Sequence, residues 1–211
     1  MSDSEHCDRI DALEEVWERW AEIGTALSEQ QWSSATRCAG WDVAALYAHV
    51  GMFPPAVADP PATAEEITAN PVTAVDILRG FNVPGGAAHE MADQVARAAA
   101  STAAELDRAG LIARYTDGPR AVAALRDRAA TSLVPRPGTS AVTTWSEAVR
   151  IVLMESVIHL LDVLDGLNLQ PEVPAAALRE TVHLLAEIAD PVSFLEAATG
   201  RSGHSPLPVL R

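Results

Sequence analysis

The chain has 211 residues, which suits a single domain that is long enough to bury a substantial core. It contains no lysine, so arginine supplies all 15 basic residues, and 29 acidic residues give a formal net charge of −14. This charge argues against a nucleic-acid or anionic-membrane surface, because both require a basic patch. The two cysteines, Cys7 and Cys38, are too few for a disulfide framework and form no CxxC metal pair.

The first ten residues are polar and acidic and lack the apolar segment of a secretory signal. No stretch approaches the roughly 18 consecutive apolar residues that indicate a transmembrane helix. We therefore expect a cytoplasmic protein whose thiols are reduced. An alanine-rich chain without lysine is also typical of a GC-rich bacterial genome.

Apolar residues recur at three- and four-residue steps along most of the chain, which predicts an all-α fold. Strand-like alternation is scarce. The predicted helices cover about 8–27, 43–50, part of 62–80, 87–109, 119–133, 145–164, 175–189 and 192–198.

Capping and breaking residues set the predicted helix ends. Asp42 is a candidate N-cap, and Thr144 with Glu147 fits a capping box at the start of the 145–164 helix. Gly166 is expected to form the C-cap of that helix. The prolines that follow Phe53 are expected to end the second helix and begin a loop.

Three polar residues interrupt the most apolar part of the 145–164 helix. Glu155, His159 and Asp162 stand at i, i+4 and i+7, so they share one face. A carboxylate and an imidazole at i and i+4 can hold one metal ion, although the same spacing also suits an ordinary ion pair. Asp162 is a candidate for orienting the His159 imidazole from outside the ligand set.

A metal at this position needs a ligand from another helix, and His49 is the leading candidate. Two histidines and one glutamate would leave an open coordination position on Zn²⁺, which is the catalytic arrangement. The alternative is that His49 is a hydrogen-bonded core residue.

Two segments resemble a known family. Residues 37–49, RCAGWDVAALYAH, are similar to the Cys-x-Gly-Trp-x-Val-x-x-Leu-x-x-His stretch of the mycothiol-dependent maleylpyruvate isomerases, which belong to the DinB-like metalloenzymes. The Glu155-x-x-x-His159-x-x-Asp162 pattern resembles the second signature of that family, and the chain looks like a short form.

The resemblance implies a DinB-like four-helix bundle over residues 1–168, with additional short C-terminal helices in a 169–211 extension packed on the bundle. It implies zinc or another divalent metal held by His49, Glu155 and His159. It also implies that the protein uses mycothiol, the low-molecular-weight thiol of actinobacteria, and that it forms homodimers.

The function that this implies is a mycothiol S-transferase or mycothiol-dependent isomerase acting on a small electrophilic substrate. Metal coordination would convert a thiol, ordinarily protonated near neutral pH, into a nucleophilic thiolate. The alternatives are a non-thiol metalloenzyme of secondary metabolism and a non-catalytic metal-binding DinB-like protein.

The remaining cysteine, tryptophan, histidine and arginine residues of interest are expected to lie outside the ligand set. Cys38 is expected to pack rather than to react, and Trp41 to anchor its loop to the bundle. The other histidines are expected to have no role in the site: His6, His89, His183 and His204. Four arginines are unranked candidates for binding anionic groups of a thiol or substrate: Arg37, Arg79, Arg150 and Arg201.

Overall fold

The computed structural model describes residues 3–60, 70–83, 85–135, 141–201 and 207–209. Its elements in chain order are α1 (Asp3–Ala26), α2 (Glu29–Trp32), α3 (Val43–Val50), α4 (Phe53–Ala58), α5 (Ala74–Asn82), α6 (Ala87–Glu105), α7 (Arg108–Thr116), α8 (Gly118–Arg126), β1 (Leu133–Pro135), β2 (Val142–Thr144), α9 (Trp145–Gly166), α10 (Ala175–Ile188) and α11 (Pro191–Ala198). The predicted all-α class is confirmed, and the described strands form one short antiparallel pair.

The long helices α1 and α9 pack side by side and form the centre of the bundle. The predicted apolar face of α1 is buried, with Trp17 and Trp20 at its middle. Both indole rings also donate hydrogen bonds to α9: Trp17 Nε1 to Ser156 Oγ at 3.2 Å, and Trp20 Nε1 to the Ser156 carbonyl at 3.0 Å. Because Ser156 follows Glu155, these bonds fix the part of α9 that carries the candidate site.

Helix α3 packs against α6, α9 and α7. It begins as predicted, because the Asp42 side chain accepts a hydrogen bond from the Ala45 N–H at 2.8 Å. Tyr47 is fully buried, and its hydroxyl donates to the Trp20 carbonyl at 2.9 Å. This bond ties α3 to α1 two residues before His49.

Several predicted helix boundaries are wrong. The predicted 119–133 helix ends at Arg126 as α8, and Leu133 begins β1 instead. Pro54 and Pro55 do not end a helix but lie in the first turn of α4. Backbone N–H groups of a first turn make no intrahelical hydrogen bond, so proline, which lacks this group, is tolerated there. The predicted 87–109 helix stops at Glu105, because Leu106 is extended and Asp107 caps the new helix α7. The predicted break over residues 28–40 contains the short helix α2.

The N-terminal end of α9 differs from a complete capping box. The Thr144 hydroxyl accepts from the Glu147 N–H at 3.3 Å, as predicted. The Glu147 carboxylate does not return to the cap; it accepts from the Ala74 N–H at 2.7 Å and so anchors the start of α5. Part of the 62–80 segment and part of the predicted 134–138 connection lie outside the described residues.

The C-terminal end of α9 is also later than predicted. Gly166 is the last helical residue rather than the C-cap, and Asn168 takes the left-handed conformation beyond it, with φ 55°. A Cβ at Gly166 would lie 2.6 Å from the Ala35 carbonyl oxygen. Glycine therefore permits the loop of residues 33–42, called here the 33–42 loop, to approach this end of α9.

The 33–42 loop is closed by backbone hydrogen bonds. An isolated bridge pairs Ala35 with Asp42, and the Thr36 N–H donates to the Trp41 carbonyl at 3.1 Å. Gly40 takes a positive φ of 83° at its turn. The loop thus presents Cys38 and Trp41 to the bundle from a fixed turn.

After α9, α10 packs on both α9 and α1, and α11 contacts α10. The division into a 1–168 bundle and a 169–211 extension stays a prediction, and His204 and residues 210–211 lie outside the described part. None of the described helices is both long enough and apolar enough to cross a membrane.

Candidate metal centre

The three predicted ligands come together between α3 and α9. Glu155 Oε2 lies 3.4 Å from His159 Nε2, one turn along the same helix, and 3.8 Å from His49 Nε2 on α3. One donor atom from each of the three residues lies within 4.8 Å of the other two. All three side chains are partly buried, with exposed fractions of 15% for His49, 28% for Glu155 and 18% for His159.

Aromatic rings surround His49. The Trp41 ring lies edge-on to its imidazole with 5.3 Å between centroids, and the Phe53 ring lies 6.2 Å away. The imidazoles of His49 and His159 are 5.2 Å apart and nearly perpendicular. These apolar edges shield the donor atoms from bulk water, which strengthens electrostatic interactions there.

Asp162 lies behind His159. Its Oδ2 is 2.9 Å from His159 Nδ1, while the Nε2 edge of the same ring is directed towards Glu155. With Nδ1 as the hydrogen-bond donor, Nε2 of a neutral imidazole presents its lone pair to the site.

The 33–42 loop supplies two further partners of Asp162. Arg37 donates to Asp162 Oδ1 from Nε at 3.1 Å and from Nη2 at 2.9 Å. The Cys38 thiol donates to Oδ2 at 3.2 Å, and its sulfur lies 3.9 Å from His159 Nδ1. Sequence reasoning assigned packing to Cys38; the available signal was its place in the motif that also carries His49.

Burial and hydrogen bonding have opposite effects on the pKa values of Glu155, His159 and Asp162, and hydrogen bonding together with neighbouring charges outweighs burial for each. Burial raises the pKa of Glu155, but hydrogen bonds from His159 and His49 outweigh it and lower the pKa to about 2. Burial lowers the pKa of His159, but its hydrogen bonds, first that to Asp162, raise the pKa to about 11. Burial raises the pKa of Asp162, and its bonds with His159 and Cys38 lower it more.

The lowered pKa values favour the negative forms of Glu155 and Asp162, and the raised pKa favours the positive form of His159 between them. The Arg37 guanidinium pairs with Asp162 at the end of this row. A divalent cation that bound at the three donor atoms would take the place of the His159 proton. Metal binding at these atoms would therefore be coupled to the release of that proton.

The other residues singled out in the sequence lie elsewhere. His89 and His183 are exposed, and His6 is buried on α1. Arg79 donates to the carbonyls of Glu187 and Ile188, so it caps α10, and Arg150 pairs with Glu147 and Glu187. Arg201 is exposed and bonds the Thr199 carbonyl.

A cavity of about 510 Å³ lies between the 33–42 loop, α3 and α6. Thr36, Trp41 and Asp42 line it together with alanines of α6. The guanidinium at this cavity belongs to Arg108, which none of the sequence arguments identified. Trp41 thus lines the cavity and contacts His49.

The described helices form an all-α bundle, which agrees with the DinB-like class that the sequence resemblance implies. A family model described as the mycothiol maleylpyruvate isomerase N-terminal domain matches residues 13–164. The chain therefore belongs to this family, and the matched span includes His49, Glu155 and His159. No curated protein and no solved structure gives a significant match.

Proposed function

We propose that the protein binds one zinc ion through His49, Glu155 and His159 and uses it to activate mycothiol for reaction with a small electrophile. The observation that carries this proposal is the convergence of the three donor atoms within 4.8 Å of one another. Membership of the mycothiol maleylpyruvate isomerase family supports the choice of thiol.

The donor set fits zinc in type and spacing. Nitrogen and oxygen ligands lie about 2.0–2.2 Å from Zn²⁺, so neighbouring corners of a tetrahedron are separated by about 3.4 Å. The His159–Glu155 and His49–Glu155 separations of 3.4 and 3.8 Å are close to that value. Three protein ligands leave a fourth position for an exogenous ligand, as catalytic zinc sites do.

Zinc, when bound, would stabilise the thiolate form of a thiol at neutral pH and so supply a nucleophile. The residues of the chain orient and insulate that nucleophile. Asp162 holds His159 with Nε2 facing Glu155, so that both residues together with His49 would hold the ion. Glu155 would supply a negative charge, and the Trp41 and Phe53 rings beside His49 would limit access of water. In a transfer, the thiolate sulfur would bond to an electrophilic carbon and a leaving group would depart with the electron pair of the broken bond. In an isomerisation, the sulfur would add to a conjugated C=C bond, the resulting single bond would rotate, and expulsion of the thiolate would restore the double bond.

The test begins with the metal content of protein purified in zinc-replete medium. We expect about one zinc ion per chain in the wild type and none in His49→Ala, whereas His183→Ala, a substitution at an exposed histidine, should retain the ion. A wild-type protein that binds no divalent ion would refute the proposal.

Incubation with mycothiol and a panel of electrophiles then tests the thiol. Thiol-dependent turnover or a mycothiol adduct is expected, with both lost in His49→Ala. Turnover without thiol would favour the non-thiol metalloenzyme. A site closed by a fourth protein ligand would favour the non-catalytic metal-binding role. A cytoplasmic location and a homodimer remain parts of the same proposal.

A further inference from the structure

Cys38 makes a specific polar contact that a packing role does not require. Its thiol donates to Asp162 Oδ2 at 3.2 Å, and this same oxygen is 2.9 Å from His159 Nδ1. The sulfur is also 3.9 Å from that nitrogen. Cys38 therefore bonds to the carboxylate that orients a proposed metal ligand and lies against the ligand itself.

The two oxygens of Asp162 are held differently. Arg37 supplies two donors, but both bond to Oδ1. These bonds alone would leave Oδ2 free to swing about the Oδ1 contact, and Oδ2 is the oxygen that orients His159. The Cys38 thiol is the donor that the 33–42 loop provides to Oδ2.

We propose that Cys38 is a positioning residue of the metal centre: its thiol fixes Asp162 Oδ2, and Asp162 in turn fixes the His159 ring. This inference rests on the proposed zinc function. It also explains the close approach between the 33–42 loop and α9. Because the loop backbone packs directly against Gly166, the Cys38 side chain can reach Asp162 on the same helix.

The geometry disfavours Cys38 as a ligand of the same ion. Its sulfur lies at the Nδ1 edge of the His159 ring, whereas Nε2, the opposite edge, faces Glu155. The Arg37 guanidinium also pairs with the carboxylate that the thiol contacts, and this positive charge opposes a second cation there.

The test compares Cys38→Ala, which removes the donor, with Cys38→Ser, which retains one. Cys7→Ala is the matched control, because Cys7 is exposed on α1 and is the other cysteine of the chain. The first readout is the zinc dissociation constant, measured by competition with a chromophoric chelator. The second is the order parameter of the isotope-labelled His159 ring in metal-free protein, measured by NMR relaxation.

We expect Cys38→Ala to weaken zinc binding by about three- to tenfold, less than the loss of a direct partner of a ligand, because the thiol acts through Asp162 and is a weak donor. Its His159 ring should be more mobile while the His49 ring is unchanged. Cys38→Ser should restore both readouts to within about twofold of wild type.

Unchanged or tighter zinc binding in Cys38→Ala, or a serine variant no better than alanine, would overturn the inference. Thermal unfolding of each variant identifies any loss that comes only from misfolding. If the wild type bound no zinc, the proposed function would fail, yet a more mobile His159 ring in Cys38→Ala would still support positioning.

Discussion

Replacing Asp162 by asparagine tests the link between this carboxylate and His159, the proposed metal ligand. Asp162 accepts four hydrogen bonds: two from Arg37, one from Cys38 and one from His159. An asparagine has one acceptor oxygen and an NH₂ group, so whichever way the amide turns, the NH₂ faces a donor. If the oxygen remains with Arg37, His159 must accept at Nδ1 and carry its proton on Nε2, the nitrogen required by the metal.

The expected loss follows from this wrong tautomer. Substitution of an outer partner of a metal ligand weakens metal affinity by about 10- to 100-fold, or about 1.4–2.7 kcal/mol. Asp165→Asn is the matched control, because it makes the same change one turn along α9 at an exposed carboxylate 3.9 Å from Arg37 Nε. Chelator competition measures zinc affinity in both variants, and thermal unfolding checks that each is folded.

The outcome that would refute the reasoning is a zinc affinity in Asp162→Asn within about twofold of that in Asp165→Asn. That result would mean that the His159 tautomer does not depend on Asp162.

Three further outcomes are expected. Zinc affinity should fall by more than about 100-fold in His49→Gln, since one of three ligands is lost, and isothermal titration with His183→Gln as control checks this. The metal-free protein should lose stability as pH rises from about 6.5 towards 11. Protonated His159 stabilises the fold because its pKa is raised from 6.5 to about 11 on folding, and this stabilisation is lost as His159 of the folded protein deprotonates. Melting temperatures that fall equally in His159→Gln and in the wild type over this pH range would contradict this. Gly166→Ala should destabilise the fold by about 1–3 kcal/mol, because its Cβ would lie 2.6 Å from a backbone oxygen. Gly80→Ala, in an exposed helical position with no atom near the new Cβ, should instead stabilise the fold slightly. Equal free energies of unfolding for the two variants in denaturant titration would count against the close approach of Ala35 to Gly166.

Local chemistry explains which parts of the fold could be predicted. The spacing of Trp17 and Trp20 and the Asp42 cap depend on residues within a few positions of one another, and both predictions are confirmed. Pro54 was misread because proline is common just beyond the end of a helix and also in the first turn of a new one. Gly166 was misread because a close tertiary approach and a C-cap both select glycine.

The candidate site likewise combines residues that local spacing groups together and contacts that depend on tertiary packing. Glu155, His159 and Asp162 could be grouped from sequence because they share one face of α9. His49 could be named from sequence only as a candidate, which the family resemblance then favoured, since helical spacing does not reveal which helices face each other. The Cys38–Asp162 contact spans 124 residues and depends on how the 33–42 loop docks against α9, which no local pattern specifies.

The edge-on contact between Trp41 and His49 gives the proposed metal centre an optical reporter of its own. The other four tryptophans, Trp17, Trp20, Trp32 and Trp145, are buried, whereas Trp41 is partly exposed and its ring lies 5.3 Å from a proposed ligand. A quenching ion such as Cu²⁺ or Co²⁺ at the centre would reduce the red-shifted emission of Trp41 first. Occupancy of the site can therefore be followed by intrinsic fluorescence, without a label and without knowledge of the substrate.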